Sequence, residues 1–149
     1  MLEGHYIGVV IPARDEEKHI QSVLETLPEF IDMAVVIDDG STDGTKLRAT
    51  EAQTTFDKTI LQTDGIGVGG AIDLGHQHLL KSLQHPFISV VMAGDGQMDP
   101  DNLKSLLHPI LRGDVDFVKG NRMMNPADIK QMPKTRRRAS KILGWLTTL

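Results

Sequence analysis

An α/β fold with a mainly parallel sheet and helices on both faces is predicted by three observations. Apolar, β-branched runs alternate along the chain with segments of helical spacing, in the order βαβαβαβαβ. The run MAVVIDD ends in two carboxylates, Asp38 and Asp39, and FISVVM leads straight into AGDGQMDPD. Polar turns at 12–16, 38–45 and 93–101 therefore follow strands, on the edge where open α/β sheets hold their ligands. The 149 residues suffice for one domain with a real core and are too few for two of ordinary size. With 40% hydrophobic and 24% charged residues the composition is that of a globular protein, and no run approaches the roughly 20 apolar residues of a membrane span. The expectation is a chain without a secretory signal, located in the cytoplasm or at the cytoplasmic face of the membrane. Cysteine is absent, which excludes disulfides and thiolate metal sites.

Each element has its own warrant. Tyr6 to Ile11 forms the first strand, stopped by Pro12. ARDEEKHIQSVLETL then reads as a helix, with Asp15, Glu16 and Glu17 in a first turn that favours anions. Its Ile20, Val23, Leu24 and Leu27 make one apolar stripe before Pro28. The run Val35, Val36, Ile37 that ends in Asp38 and Asp39 is the second strand, the polar turn with Gly40, Ser41, Asp43 and Gly44 follows, and Thr45 to Gln53 is a helix. Lys58 to Gln62 is a short third strand, and a glycine cluster (Gly65, Gly67, Gly69, Gly70) precedes a helix from about Gly70 to Leu83. Phe87 to Met92 is apolar on both faces, as a central parallel strand is. Asp101 caps a helix carrying Leu103, Leu106, Leu107, Ile110 and Leu111, closed by Gly113. Asp116 to Lys119 is a fifth strand, and Arg137 to Leu149 a final helix.

Several readings of the turns stand side by side. Asp38, Ser41 and Asp43 serve either a ligand site or a helix cap and turn. A calcium loop fails, because Thr50 stands where the glutamate at position 12 is needed and the preceding segment is strand-like. Gly65, Gly67 and Gly70 satisfy a GxGxxG pattern, but after the third strand rather than the first. Backbone amides there hold a phosphate or sugar, or the glycines allow close helix packing. Asp38, Asp39, Asp95 and Asp99 offer oxygen ligands for a hard divalent cation bound with a phosphorylated ligand. His76 and His78 face different directions on one helix and are read as surface or packing residues. The net charge of −4 is uneven: residues 1–128 sum to −10, whereas residues 129–149 carry six basic side chains and no acidic one. That cationic segment (Lys130, Lys134, Arg136, Arg137, Arg138, Lys141) suits phosphates or makes a solvated helix face. Aromatic residues are 4%, so no stacking platform for nucleic acid is evident.

VVIPARDEE, VVIDDGSTDGT, GVGGAI, VVMAGDGQMDPDNL and FVKGNR, in this order, resemble family 2 glycosyltransferases of the glycosyltransferase A fold. Within that family they are similar to the dolichyl-phosphate mannose and glucose synthases. The resemblance runs from about Tyr6 to the last residue and implies a nucleotide-diphospho-sugar transferase. By it, Pro12, Ala13, Arg14, Glu16, Ile37, Asp38 and Asp39 hold the base and ribose of a sugar nucleotide, with Gly67, Gly94 and Asp95 in the same donor site. The stretch 93–97 matches a motif Asp, any, Asp, any, Gln that holds Mg²⁺ or Mn²⁺ on the diphosphate. Here Asp95 and Gln97 match its second and third members, and Ala93 replaces the first. Arg122 matches an arginine that meets donor or acceptor phosphate, and is paired with Asp95 as catalytic.

The implied reaction moves a hexose from a UDP- or GDP-linked donor to a polyprenyl phosphate. A cation and an arginine offset the charge that develops on the leaving diphosphate. A phosphate acceptor is already anionic and needs no general base, and no residue stands out as one, so the expectation is direct, inverting displacement. Arg122, Arg136, Arg137 and Arg138 are expected at the acceptor phosphate, with peripheral membrane contact through the basic segment and Trp145 and Leu146. The chain stops inside an apolar helical pattern, and is expected to be truncated before the acceptor segment is complete. The alternatives are a non-catalytic nucleotide-sugar-binding domain and a transferase with a sugar hydroxyl acceptor. A sugar-phosphate nucleotidyltransferase needs a glycine-rich basic loop after strand one, which PARDEE lacks.

Overall fold

The computed structural model describes residues 1–120. Four parallel strands, β1 (Tyr6–Ala13), β2 (Met33–Asp39), β3 (Asp57–Thr63) and β4 (Phe87–Val91), form one sheet in the order β3-β2-β1-β4. The chain winds outward from β1 to β3, then crosses back to place β4 on the other side of β1. The order therefore reverses between β1 and β4, and the crevice past their carboxyl ends is the topological switch point.

Helices cover both faces, as the sequence predicts. Side chains of one strand parity (Ile7, Val9, Ile11, Ala34, Val36) pack with α1 (Ile20–Glu25), α2 (Thr45–Glu51) and α4 (Leu103–Leu111). The other parity (Val10, Val35, Ile37) packs with Ala71 and Leu79 of α3 (Gly67–Ser82). The approach of α3 is close because Gly75 has no side chain: a Cβ there would lie 2.3 Å from Val10 Cγ1. His76 Nδ1 lies 2.8 Å from Ser89 Oγ, joining α3 to β4.

Five expectations need correction. β1 runs through Pro12 to Ala13 rather than stopping before it. The carbonyls of Val10 and Pro12 both accept from the β4 side, from Met92 and Gly94. Pro12 thus turns its hydrogen-free nitrogen toward a neighbour whose ladder has already ended. α1 begins at Ile20 with no acidic residue in its first turn, since residues 15–17 are engaged by another loop. α3 starts at Gly67, three residues early. The cap ahead of α4 is Asp99, which accepts from the Asp101 amide and opens a single 3₁₀ turn, Pro100–Asn102. Asp116 to Lys119 is not a strand: it has two apolar residues, no ladder partner among the described residues, and Phe117 is 79% exposed. The expected helix at 137–149 lies outside the described residues.

Candidate functional site

The loop after β1 and the loop after β2 are stitched together by side chains that reach across to backbone amides. Asp15 N–H donates to Ser41 Oγ (2.9 Å), Glu16 N–H to Thr45 Oγ1 (2.8 Å) and Glu17 N–H to Asp43 Oδ2 (3.2 Å). In return Thr42 N–H donates to Asp15 Oδ1 (2.8 Å) and Gly44 N–H to Glu17 Oε2 (3.2 Å). Asp15 is held at φ 55°, a left-handed conformation that Asp tolerates better than most residues. Thr45 is fully buried and donates its hydroxyl to Asp43. That bond, ahead of the backbone amides, holds the Asp43 carboxyl below the usual aspartate range against the opposing effect of burial.

Asp38 and Asp39, both buried, are hydrogen-bonded at both carboxylate oxygens. Asp38 accepts from Ser41 N–H and Gln62 Nε2, each at 3.2 Å. Asp39 Oδ1 accepts from Thr63 Oγ1 (2.5 Å) and Ile66 N–H (2.7 Å), and Oδ2 from Gly67 N–H (2.9 Å). The Thr63 hydroxyl chiefly, then these amides and more weakly Arg14, hold the Asp39 carboxyl below its ordinary range while burial opposes them. The amides of the glycine cluster thus meet a carboxylate of the protein itself.

The expected residues gather around the switch point in two groups. Pro12, Ala13 and Gly94 are adjacent, with Gly94 N–H donating to Pro12 O, and a Cβ at 94 would be tight against Ala13 Cβ at 3.1 Å. Arg14 stands beside Gly65 and near enough to Asp39 for its charge to act on that carboxyl. Glu16 holds the clasp through its amide, and Ile37 is fully buried against α3. Asp95, half-buried, accepts from Gln97 N–H at 3.0 Å, and Gln97 is exposed. Next to this turn is a cleft of about 310 Å³ lined by His19, Thr26, Met92, Gln97 and Asp99 among others. Arg122, Arg136, Arg137 and Arg138 lie outside the described residues.

The four carboxylates expected to converge on a cation do not: among the described residues no three acidic or histidine side chains are grouped as a metal site. Asp38 serves its turn, Asp39 the start of α3 and Asp99 a cap, which leaves Asp95. Thr63 and Glu17 lie outside the turns singled out in the sequence, and the bonds that Asp15 and Thr45 make inside those turns were not foreseen. Their signal was the density of short polar side chains in both loops, whose pairing only the strand register reveals.

A parallel sheet of this order, with acid-rich loops at its switch point, is a doubly wound α/β domain whose ligand crevice lies past the carboxyl ends of β1 and β4. The chain belongs to Glycosyl transferase family 2, whose family model matches residues 8–148. It is 35% identical over 144 residues to the uncharacterized protein MJ1222 of Methanocaldococcus jannaschii, covering 96% of this chain and 57% of that protein. It is 31% identical over 159 residues to the UDP-N-acetylglucosamine--dolichyl-phosphate N-acetylglucosaminyltransferase of Methanococcus voltae, covering 96% and 62%. The chain therefore spans about three-fifths of the length of these curated relatives. Among solved structures it is similar to Mycobacterium tuberculosis glucosyl-3-phosphoglycerate synthase in complex with Mn²⁺, UDP-glucose and phosphoglyceric acid. The TM-score is 0.58 at 25% identity, over 74% of this chain and 41% of that one.

Proposed function

We propose that this chain binds a nucleotide-diphosphate sugar at the switch point and transfers its hexose to a polyprenyl phosphate. The observation that carries the reading is the meeting of the loops after β1, β2 and β4, with the first two clasped into one rigid wall and Asp95 on the third. The nucleoside belongs at the Arg14–Asp39 end, where Oδ2 of Asp39 accepts a single hydrogen bond and keeps acceptor capacity for a ribose hydroxyl or base N–H. The diphosphate belongs at the 93–97 turn. The M. voltae relative, named for a UDP-sugar donor and a dolichyl-phosphate acceptor, supports both substrate classes.

The donor set fits Mg²⁺ or Mn²⁺ held partly by substrate. Mg²⁺ is commonly bound through one or two carboxylates plus phosphate oxygens and water, and Asp95, with Gln97 near it, supplies one carboxylate where Ala93 supplies none. When bound, the cation stabilises negative charge on the departing diphosphate. The chain's own residues orient the donor and exclude water from its nucleoside end. An anionic phosphate acceptor attacks the anomeric carbon without a base, and inversion follows from single displacement. Arg122 and the basic segment are assigned to the acceptor phosphate, and peripheral membrane contact to that segment. A hydroxyl acceptor is the second reading, favoured by the likeness to a synthase solved with phosphoglyceric acid.

Calorimetric titration with UDP, GDP and their sugar conjugates, with and without Mn²⁺, tests the donor site. One nucleotide should bind with metal-dependent affinity, and Asp95→Asn should weaken the metal-dependent part about tenfold while sparing the rest. Absence of nucleotide binding under every condition would overturn the proposal.

A further inference from the structure

α3 begins at Gly67 after Ile66, neither of which has a side chain that can accept a hydrogen bond, and no side chain of its own accepts from its first amides. The cap comes instead from the end of β2. Asp39 receives Ile66 N–H and Gly67 N–H, and its remaining donor is the hydroxyl of Thr63, its register partner on β3. A carboxylate that is 5% exposed needs such partners to stay charged. An independent feature fixes the same turn from below. Gly40, at φ 75°, is so close to it that an added Cβ would lie 3.2 Å from Gly65 N and 3.5 Å from Asp64 C. Above it, the Arg14 guanidinium stands 3.7 Å from where a Gly65 Cβ would be.

We propose that Thr63 is a positioning residue of the donor site, and that its hydroxyl and the Asp39 carboxylate form a latch holding the Gly65–Gly67 turn as one wall of that site. This rests on the donor-site reading above. The latch also takes up the Ile66 and Gly67 amides, so neither is offered to a ligand phosphate. Asp39 thereby acts on the donor partly through the backbone it orders, and Thr63 acts without touching the donor at all.

The test separates the latch from the donor reading by using two measurements on the same variants. Amide hydrogen exchange of Ile66 and Gly67, followed by NMR without ligand, reads the latch directly. Thr63→Val should accelerate both amides about tenfold and weaken UDP binding several-fold, while β1 and β2 amides keep their protection. Thr63→Ser, which retains the hydroxyl, should restore both quantities. Asp39→Ala should accelerate the two amides further. Unchanged exchange and unchanged UDP affinity in Thr63→Val would overturn the latch and leave Asp39 a direct ligand only. If the unaltered chain binds no nucleotide, the donor reading falls, and the exchange data still decide whether the turn is latched.

Discussion

Asp39, Asp43 and Glu25 hold their protons less tightly than free carboxylates do, and in each case a side-chain hydrogen bond is the main cause: Thr63, Thr45 and Gln21 respectively. A carboxylate with a depressed folded pKa adds stability that is fully present above its unfolded value, about 3.9 for Asp and 4.3 for Glu. That contribution is lost as pH falls through the lower folded value. The urea midpoint should therefore hold steady from neutral pH to about 5 and decline below about 4. Asp43→Ala should lower the midpoint at neutral pH and flatten the decline, since one of the linked groups is gone. An acid decline as steep as that of the unaltered chain would show that Asp43 contributes no linkage. The types of these residues were legible in the sequence; their partners were not. Asp15, Glu16 and Glu17 carry the signature of a helix start, and local signals favour that reading. The competing bonds come from Ser41, Asp43 and Thr45, some 26 to 29 residues further on.

At the level of elements, the periodicities served well where an element packs on one face. β2 carries the Val35–Ile37 run into Asp38 and Asp39 as expected, and the stripe of Ile20, Val23 and Leu24 is buried as its spacing requires. Boundaries failed where the chain turns, because glycine is compatible with both a loop and the first turn of α3. Contact between α3 and β1 depends on Gly75 in particular. Val10 is fully buried and β-branched, so a methyl group 2.3 Å from its Cγ1 forces helix or strand to move. Gly75→Ala should destabilise the fold by about 1–3 kcal/mol in chemical denaturation. Gly8→Ala meets only the flexible ends of Leu79 and Leu83 and should cost less. Equal losses would mean that the helix, not the side chains, yields. α2 is closed in a different way: Lys58 Nζ on β3 donates to the carbonyls of Ala49 (3.0 Å), Thr50 (2.7 Å) and Ala52. Burial holds that ammonium below the usual lysine range, with Glu25 opposing.

For the whole molecule, the strand order placed the site where no single segment could. The motifs announced which loops matter, but the sheet order β3-β2-β1-β4 decided that the 93–97 turn lies beside the loop after β1 and across β1 from the loop after β2. It also dispersed the carboxylates that the sequence invited one to group, since each found a closer backbone partner first. A ligand that binds only the folded chain stabilises it by mass action, about 2.7 kcal/mol at a hundredfold excess over its Kd. With Mn²⁺ and UDP at that excess, thermal denaturation should shift upward by roughly 5–10 °C, and by less with UDP alone. No shift with either would mean that the folded chain does not bind the nucleotide. The clasp between the loops after β1 and β2 bears on protein engineering. Grafting DDGSTDGT alone onto another parallel sheet would carry over a turn whose amides and hydroxyls had lost their counterparts. The smallest portable unit is the pair ARDEE and DDGSTDGT on adjacent strands, in the register that sets Ala13 beside Asp38.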